Sequence, residues 1–195
     1  IMLYKVARSI VYVIFSILFR VKVIGKENIP KSGACIISFN HTSLCDPPFA
    51  AVFIPRQLNF MAKEELFHIP VLRTFIKAFG AFPVKRSVGD ISAIKTALNI
   101  LKEEKVLAIF PEGARVKKGQ TAYAKPGVAL IATKAKVPVI PVGISGEYRL
   151  FHKITIHIGN PITFEEYYDR KLKMEELQNI SNIILDKIKQ LTEVH

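Results

Sequence analysis

The order of apolar segments predicts a single α/β domain, with a central mostly parallel or mixed sheet flanked by helices. Three observations carry this expectation. Short apolar runs, among them Ala34-Cys35-Ile36-Ile37-Ser38-Phe39 and Val106-Leu107-Ala108-Ile109-Phe110, read as strands. Residues 91–105 place Ile91, Ile94, Leu98 and Leu101 on one face of an amphipathic helix. Strand-like and helix-like segments then alternate along the chain, as in α/β folds. The 195 residues suit one domain with a sizeable core, and there is no internal repeat or low-complexity linker.

The segments follow in order. Residues 9–19 (SIVYVIFSILF) carry no charge and lie between Arg8 and Arg20. As a helix, such a stretch spans about 16 Å, roughly half of a ~30 Å hydrocarbon core. It is expected to dip into one leaflet with Arg8 and Arg20 at the headgroups; a buried core helix is the alternative. No small-residue cleavage site follows it. Residues 1–20 therefore form a membrane-associating N-terminal helix, and residues 21–195 the α/β domain. Residues 20–25 alternate charged and apolar side chains as a half-exposed strand, and 27–33 form a loop. A helix opens near Asp46-Pro47, with Asp able to cap and Pro able to take the first position. Residues 58–62 are a strand ending at Lys63, and 64–79 are helical with a break at Pro70. Residues 81–84 are a short strand running into Lys85-Arg86. Helix 91–105 and strand 106–110 follow, then a polar segment 116–123 and a helix through about Lys136. Strand 139–144 contains Pro141, which suggests an edge or a bulge. Strand 154–158, a helical piece at 164–168 and a helix over 173–191, with Leu177, Ile180, Ile184 and Ile188 on one face, complete the chain.

Composition narrows the partners. Lys and Arg number 28 against 16 Asp and Glu, a formal charge of +12, while half the residues are hydrophobic. That combination suits an anionic membrane surface, an acidic partner or a phosphorylated substrate. Nucleic acid ranks below lipid, because zinc-finger spacing, basic helices joined to heptads and RNP1-like aromatic strings are all missing from the sequence. Cys35 and Cys45 suggest neither a disulfide framework nor a metal site and read as buried thiols. Walker-type, zinc-protease and Gly-x-Ser-x-Gly motifs are also missing, so neither a metal nor a serine acyl-enzyme is expected.

Chemistry concentrates at strand ends. His41 follows an apolar strand, and Asp46 opens the next helix. The turn between them can bring imidazole and carboxylate together. A carboxylate on one ring nitrogen fixes the tautomer and leaves the other nitrogen free to take a proton. The plainer reading makes Asp46 only a cap and His41 structural. Lys63, Arg86 and Arg115 also follow apolar strands within a few residues. In a parallel sheet these ends share one edge, where ligands bind, and together would suit a phosphate or carboxylate; singly, each reads as a solvated loop residue. Glu112 and Arg115 are close enough to pair, and Gly113 lets the backbone approach a ligand.

Asn40-His41-Thr42-Ser43-Leu44-Cys45-Asp46 resembles the His-x4-Asp block of the glycerolipid acyltransferases, in particular the bacterial 1-acylglycerol-3-phosphate acyltransferases. Gly80-Ala81-Phe82-Pro83-Val84-Lys85-Arg86, Phe110-Pro111-Glu112-Gly113-Ala114-Arg115 and Val137-Pro138-Val139-Ile140-Pro141-Val142 are similar to that family's second, third and fourth blocks. Met61-Ala62-Lys63-Glu64-Glu65-Leu66-Phe67 matches a further segment. The blocks occur in family order. Ala114 stands where Thr is common, and Lys85 where an acidic residue is frequent.

The resemblance implies that His41 is the general base on the acceptor hydroxyl and that Asp46 orients it. It implies that Lys63, Arg86 and Arg115 hold the acceptor phosphate, that Glu112 and Gly113 shape that pocket, and that Lys125 is a weaker candidate. The acyl group would come directly from a thioester, acyl-CoA or acyl carrier protein, with no further cofactor. The product would be phosphatidic acid, and the enzyme would sit peripherally or monotopically at the cytoplasmic face of the cell membrane. Glycerol-3-phosphate or another lysolipid is the alternative acceptor. A non-catalytic basic membrane-binding module is the alternative of another class.

Overall fold

The computed structural model describes residues 2–84, 91–117 and 119–193. Among these, seven strands form one sheet in the order β1-β7-β6-β2-β5-β3-β4. The strands are β1 (Arg20–Ile24), β2 (Cys35–Phe39), β3 (Leu58–Lys63), β4 (Phe82–Val84), β5 (Val106–Ile109), β6 (Val139–Gly146) and β7 (Lys153–Ile158). Strands β6, β2, β5, β3 and β4 run parallel. β7 is antiparallel to β6, and β1 pairs parallel to β7. The expected α/β domain with a mostly parallel mixed sheet is therefore present.

Both faces of the sheet are covered, which explains the unbroken apolar runs. Cys35, Ile37 and Phe39 point into one core, shared with α1 (Met2–Leu18) and α2 (Asp46–Phe53). Ile36 points into the other, with α4 (Ile91–Lys102), α5 (Gly127–Ala135) and α6 (Met174–Glu193). Leu177, Ile180, Ile184 and Ile188 of α6 are buried as their spacing predicts. Gly143 of β6 explains how closely α6 lies on the sheet: a Cβ there would stand 2.7 Å from the Leu191 carbonyl carbon.

Several expectations are corrected. Pro141 marks neither an edge nor a bulge, because β6 lies between β7 and β2. Its carbonyl accepts the Gly159 N–H where the chain leaves β7, so Pro141 sits beside the end of the neighbouring strand's ladder. Ile91 is exposed at the start of α4, whose buried positions are Ala93, Ala97 and Leu101. Cys45 is only partly buried, unlike Cys35. Segment 64–79 does divide at Pro70, into a 3-10 turn over Glu64–His68 and α3 (Pro70–Ala78).

The N-terminal helix starts earlier than its uncharged core. Tyr4, Ala7, Val11, Phe15 and Leu18 pack inward. Val6, Ile10, Val13, Ile14 and Ile17, at spacings of three and four, form an exposed apolar stripe. One face is thus core, and the other is open. Arg8 does not reach outward: its guanidinium donates to the carbonyls of Val52 (3.1 Å) and Ile54 (2.8 Å) at the C-terminal end of α2. Those carbonyls lack helical partners, and a cation there also complements the helix dipole. Among the described residues, no helix is long and apolar enough to cross a membrane.

Candidate active site

The parallel strands deliver their C-terminal ends to one edge, and the sequence's charged and polar residues gather there. β2 stops at Phe39 because the next side chain makes backbone-like bonds of its own. The Asn40 amide donates to the Ile144 carbonyl (2.9 Å) and accepts the Ile144 N–H (2.7 Å), bridging β2 to β6. His41 follows and is clamped by the loop after β5. Its N–H donates to Glu112 Oε1 (3.3 Å), and its carbonyl accepts the Val116 N–H (2.8 Å). The imidazole stacks on Phe110 with ring centres 4.3 Å apart.

His41 Nδ1 lies 3.1 Å from Asp46 Oδ2. Asp46 is fully buried and is not a helix cap. It is the first residue of α2, so Pro47 takes the second position rather than the first. Oδ2 also accepts the N–H groups of Thr42 and Ser43, each at 2.7 Å, which folds the five-residue turn around the carboxylate. Oδ1 accepts the Tyr148 hydroxyl at 2.8 Å. A buried carboxylate is tolerated only when so bonded. Because Asp46 accepts on Nδ1, the ring proton belongs there, and Nε2 is left to take a proton from a substrate.

Glu112 is buried, and burial pushes its carboxyl up to about 6, against the opposing pull of its own and the His41 N–H groups and of the His41 charge. Oε2 has no hydrogen-bond partner among the described residues. The expected Glu112–Arg115 pair is not formed: the carboxylate turns inward to the His41 backbone, while Arg115 is exposed on the loop beyond it. Gly113 adopts φ +69°, closing the turn in which its N–H donates to the Phe110 carbonyl (3.0 Å). A Cβ at Gly113 would lie 2.9 Å from Lys125 Cδ and Cε, so the glycine makes room for the lysine stem.

His41 thus contacts Asp46 through its ring and Glu112 through its backbone N–H, and Gly113 and Lys125 form a second contact beside them. Lys63, at the end of β3, pairs with Glu65 (3.0 Å) with both side chains well exposed. It shares the sheet edge without touching the His41–Asp46 pair. Arg86 lies outside the described residues. No group of three or more His, Cys, Asp or Glu able to hold a metal occurs among the described residues.

Sequence reasoning missed Tyr148, Asn40 and Phe110 as parts of this site. Phe110 and Asn40 fall inside quoted blocks, but the sequence alone assigns neither a role. Tyr148 stands two residues past β6, the same offset from a strand end that marked the cations, and that offset was its only signal.

Comparison with known proteins shows the family. A family model described as acyltransferase matches residues 20–145, from β1 through most of β6. The 1-acyl-sn-glycerol-3-phosphate acyltransferase of Bacillus subtilis (strain 168) is 33% identical, the match covering 97% of this chain and 96% of that one. The protein of the same name from Streptococcus pneumoniae is 34% identical, over 78% of this chain and 58% of its own. The crystal structure of the 1-acyl-sn-glycerophosphate (LPA) acyltransferase PlsC from Thermotoga maritima superimposes with a TM-score of 0.74 at 25% identity, covering 98% of this chain and 81% of that one. With its family match running across the sheet edge that carries His41 and Asp46, this chain belongs to the acyltransferase family.

Proposed function

We propose that this enzyme transfers a fatty acyl group from a thioester, acyl-CoA or acyl carrier protein, to the free hydroxyl of 1-acylglycerol-3-phosphate, giving phosphatidic acid. The observation that carries the reading is the 3.1 Å contact between His41 Nδ1 and buried Asp46 at the C-terminal edge of the sheet. Relatives named for that reaction, matched along nearly the whole chain, supply the substrate class.

His41 Nε2 takes the proton as the acceptor oxygen bonds to the thioester carbonyl carbon. The tetrahedral intermediate collapses by breaking the carbon–sulfur bond, and the imidazolium returns its proton to the departing thiolate. Asp46 stabilises the imidazolium between the two steps. General-base help of this kind contributes about 10²- to 10⁴-fold, and holding the two substrates in line supplies much of the rest. Lys63, Arg86, Arg115 and Lys125 offer the cations for the acceptor phosphate. Gly113 seats Lys125, and Glu112 holds the His41 backbone.

On this reading the enzyme works at the cytoplasmic face of the cell membrane, where its lipid acceptors reside. The exposed apolar stripe of α1 supports contact with a lipid surface, as do Val71 and Phe75, exposed on the neighbouring α3. A helix of this kind lies in the interface plane. The test is acyl transfer to 1-acylglycerol-3-phosphate in mixed micelles, with acyl-CoA and acyl carrier protein thioesters in parallel. Wild-type chain makes phosphatidic acid, and His41→Ala reduces the rate at least 10²-fold while keeping the fold. Full activity in His41→Ala sinks the mechanism. Transfer to glycerol-3-phosphate or another lysolipid instead changes the acceptor.

A further inference from the structure

We infer that Tyr148 is a positioning residue for the reaction, locking the Asp46 carboxylate so that His41 is held in one orientation. The inference rests on the general-base reading given for His41. Asp46 Oδ2 is shared by His41 Nδ1 and the N–H groups of Thr42 and Ser43, whereas among the described residues Oδ1 has one bond, from the Tyr148 hydroxyl at 2.8 Å. Without that bond the carboxylate is anchored through one oxygen and can rotate about it. With it, both oxygens are fixed and the acceptor geometry toward Nδ1 is set.

The ring that carries the hydroxyl is itself held. It meets Phe49 edge-on at 5.5 Å and Phe19 edge-on at 5.7 Å. Phe49 belongs to α2, the helix that Asp46 opens, and Phe19 follows directly on α1. Tyr148 therefore reaches Asp46 from just past β6, across 102 residues of sequence, braced by two other elements. Desolvation, then the Asp46 charge and the hydrogen bond itself, push the phenol far above its ordinary range, so the hydroxyl stays a donor. The titratable groups facing the carboxylate are His41, Tyr148 and Glu112, and Cys45 acts on the Tyr148 phenol.

Tyr148→Phe keeps both ring contacts and removes only the hydroxyl. Two readouts apply: steady-state kinetics with acyl-CoA and 1-acylglycerol-3-phosphate, and the downfield imidazole N–H proton of His41 by NMR, assigned by its absence in His41→Ala. The expected result is a kcat lower by roughly tenfold with both KM values unchanged, and a His41 N–H signal broadened by faster exchange. A His41 signal and kcat equal to wild type overturn the assignment. So does a raised KM with kcat intact, which would put Tyr148 on substrate rather than on Asp46. A broadened signal in a chain whose wild type acylates no lysophospholipid keeps the positioning role and overturns the proposed function instead. If Tyr148→Phe does not fold, the wild-type ring answers: the Tyr148 Cζ resonance shows no phenolate while the chain stays native, and ionisation near the ordinary tyrosine range overturns the bond to Asp46.

Discussion

Glu112 shows how one side chain at this site trades stability for position. Its carboxyl titrates near 6 in the fold against an ordinary 4.5, with burial the main cause. The folded chain therefore holds the proton more tightly than the unfolded chain, so stability falls as pH rises from about 4.5 to 6 and stays lower above that. One and a half pKa units correspond to about 2 kcal/mol. Gln keeps an oxygen for the His41 N–H and cannot ionise. Glu112→Gln is expected to be more stable than wild type at pH 7.5 by an amount of that order, and the difference should vanish toward pH 4. Thermal melts at the two pH values check this; equal gaps at both would mean that burial does not shift the Glu112 carboxyl, which would then ionise alike in the folded and unfolded chain. At this scale the sequence revealed what was local. His41 and Asp46 meet across a five-residue turn, so their spacing was sufficient. The Glu112–His41 and Tyr148–Asp46 bonds span 71 and 102 residues, and only the closure of β5 and β6 beside β2 creates them.

The elements were legible where one force set them. The unbroken burial of β2 follows from helices on both faces, and α6 from its apolar spacing. Reading failed where a residue's neighbour lay elsewhere in the fold. Pro141 looked like an edge marker because proline lacks a ladder N–H, although it lies in an inner strand beside the end of its neighbour, and Arg8 looked like a headgroup anchor although it caps α2. α1 carried two signals at once, a core face and an open face, which an all-apolar run cannot separate. Its open face makes a specific prediction. Ile10 and Ile17 are 55% and 66% exposed, so converting both to Glu removes apolar surface that no described residue covers. Exposed substitutions of this kind usually shift stability within about 0.5 kcal/mol each. Ile10→Glu/Ile17→Glu is expected to keep its melting temperature within a few degrees and lose most sedimentation with lipid vesicles. Unchanged sedimentation would assign vesicle binding to another surface.

For the whole molecule, the charge of +12 adds a second attraction that differs from the first in its response to salt. Well-placed Lys or Arg near an anionic surface contribute about 1 kcal/mol each, and only within a screening length. That length shrinks from about 10 Å in 0.1 M salt to about 3 Å in 1 M. Burial of the α1 stripe in lipid is insensitive to this screening. Ion pairs found among the described residues, such as the exposed Lys136–Asp169 and Arg149–Glu147, remove equal numbers of both signs, so they leave the net charge as it is. Wild-type chain should therefore bind anionic vesicles tightly at low salt and fall at high salt to the level seen on neutral vesicles. The doubly substituted α1 should bind anionic vesicles weakly at low salt and not at all at high salt, because each variable removes one attraction. Titrating salt against both chains on both lipids resolves the two contributions. Salt-independent binding by the wild type would assign attachment to α1 alone and leave the basic surface for the acceptor phosphate and the donor.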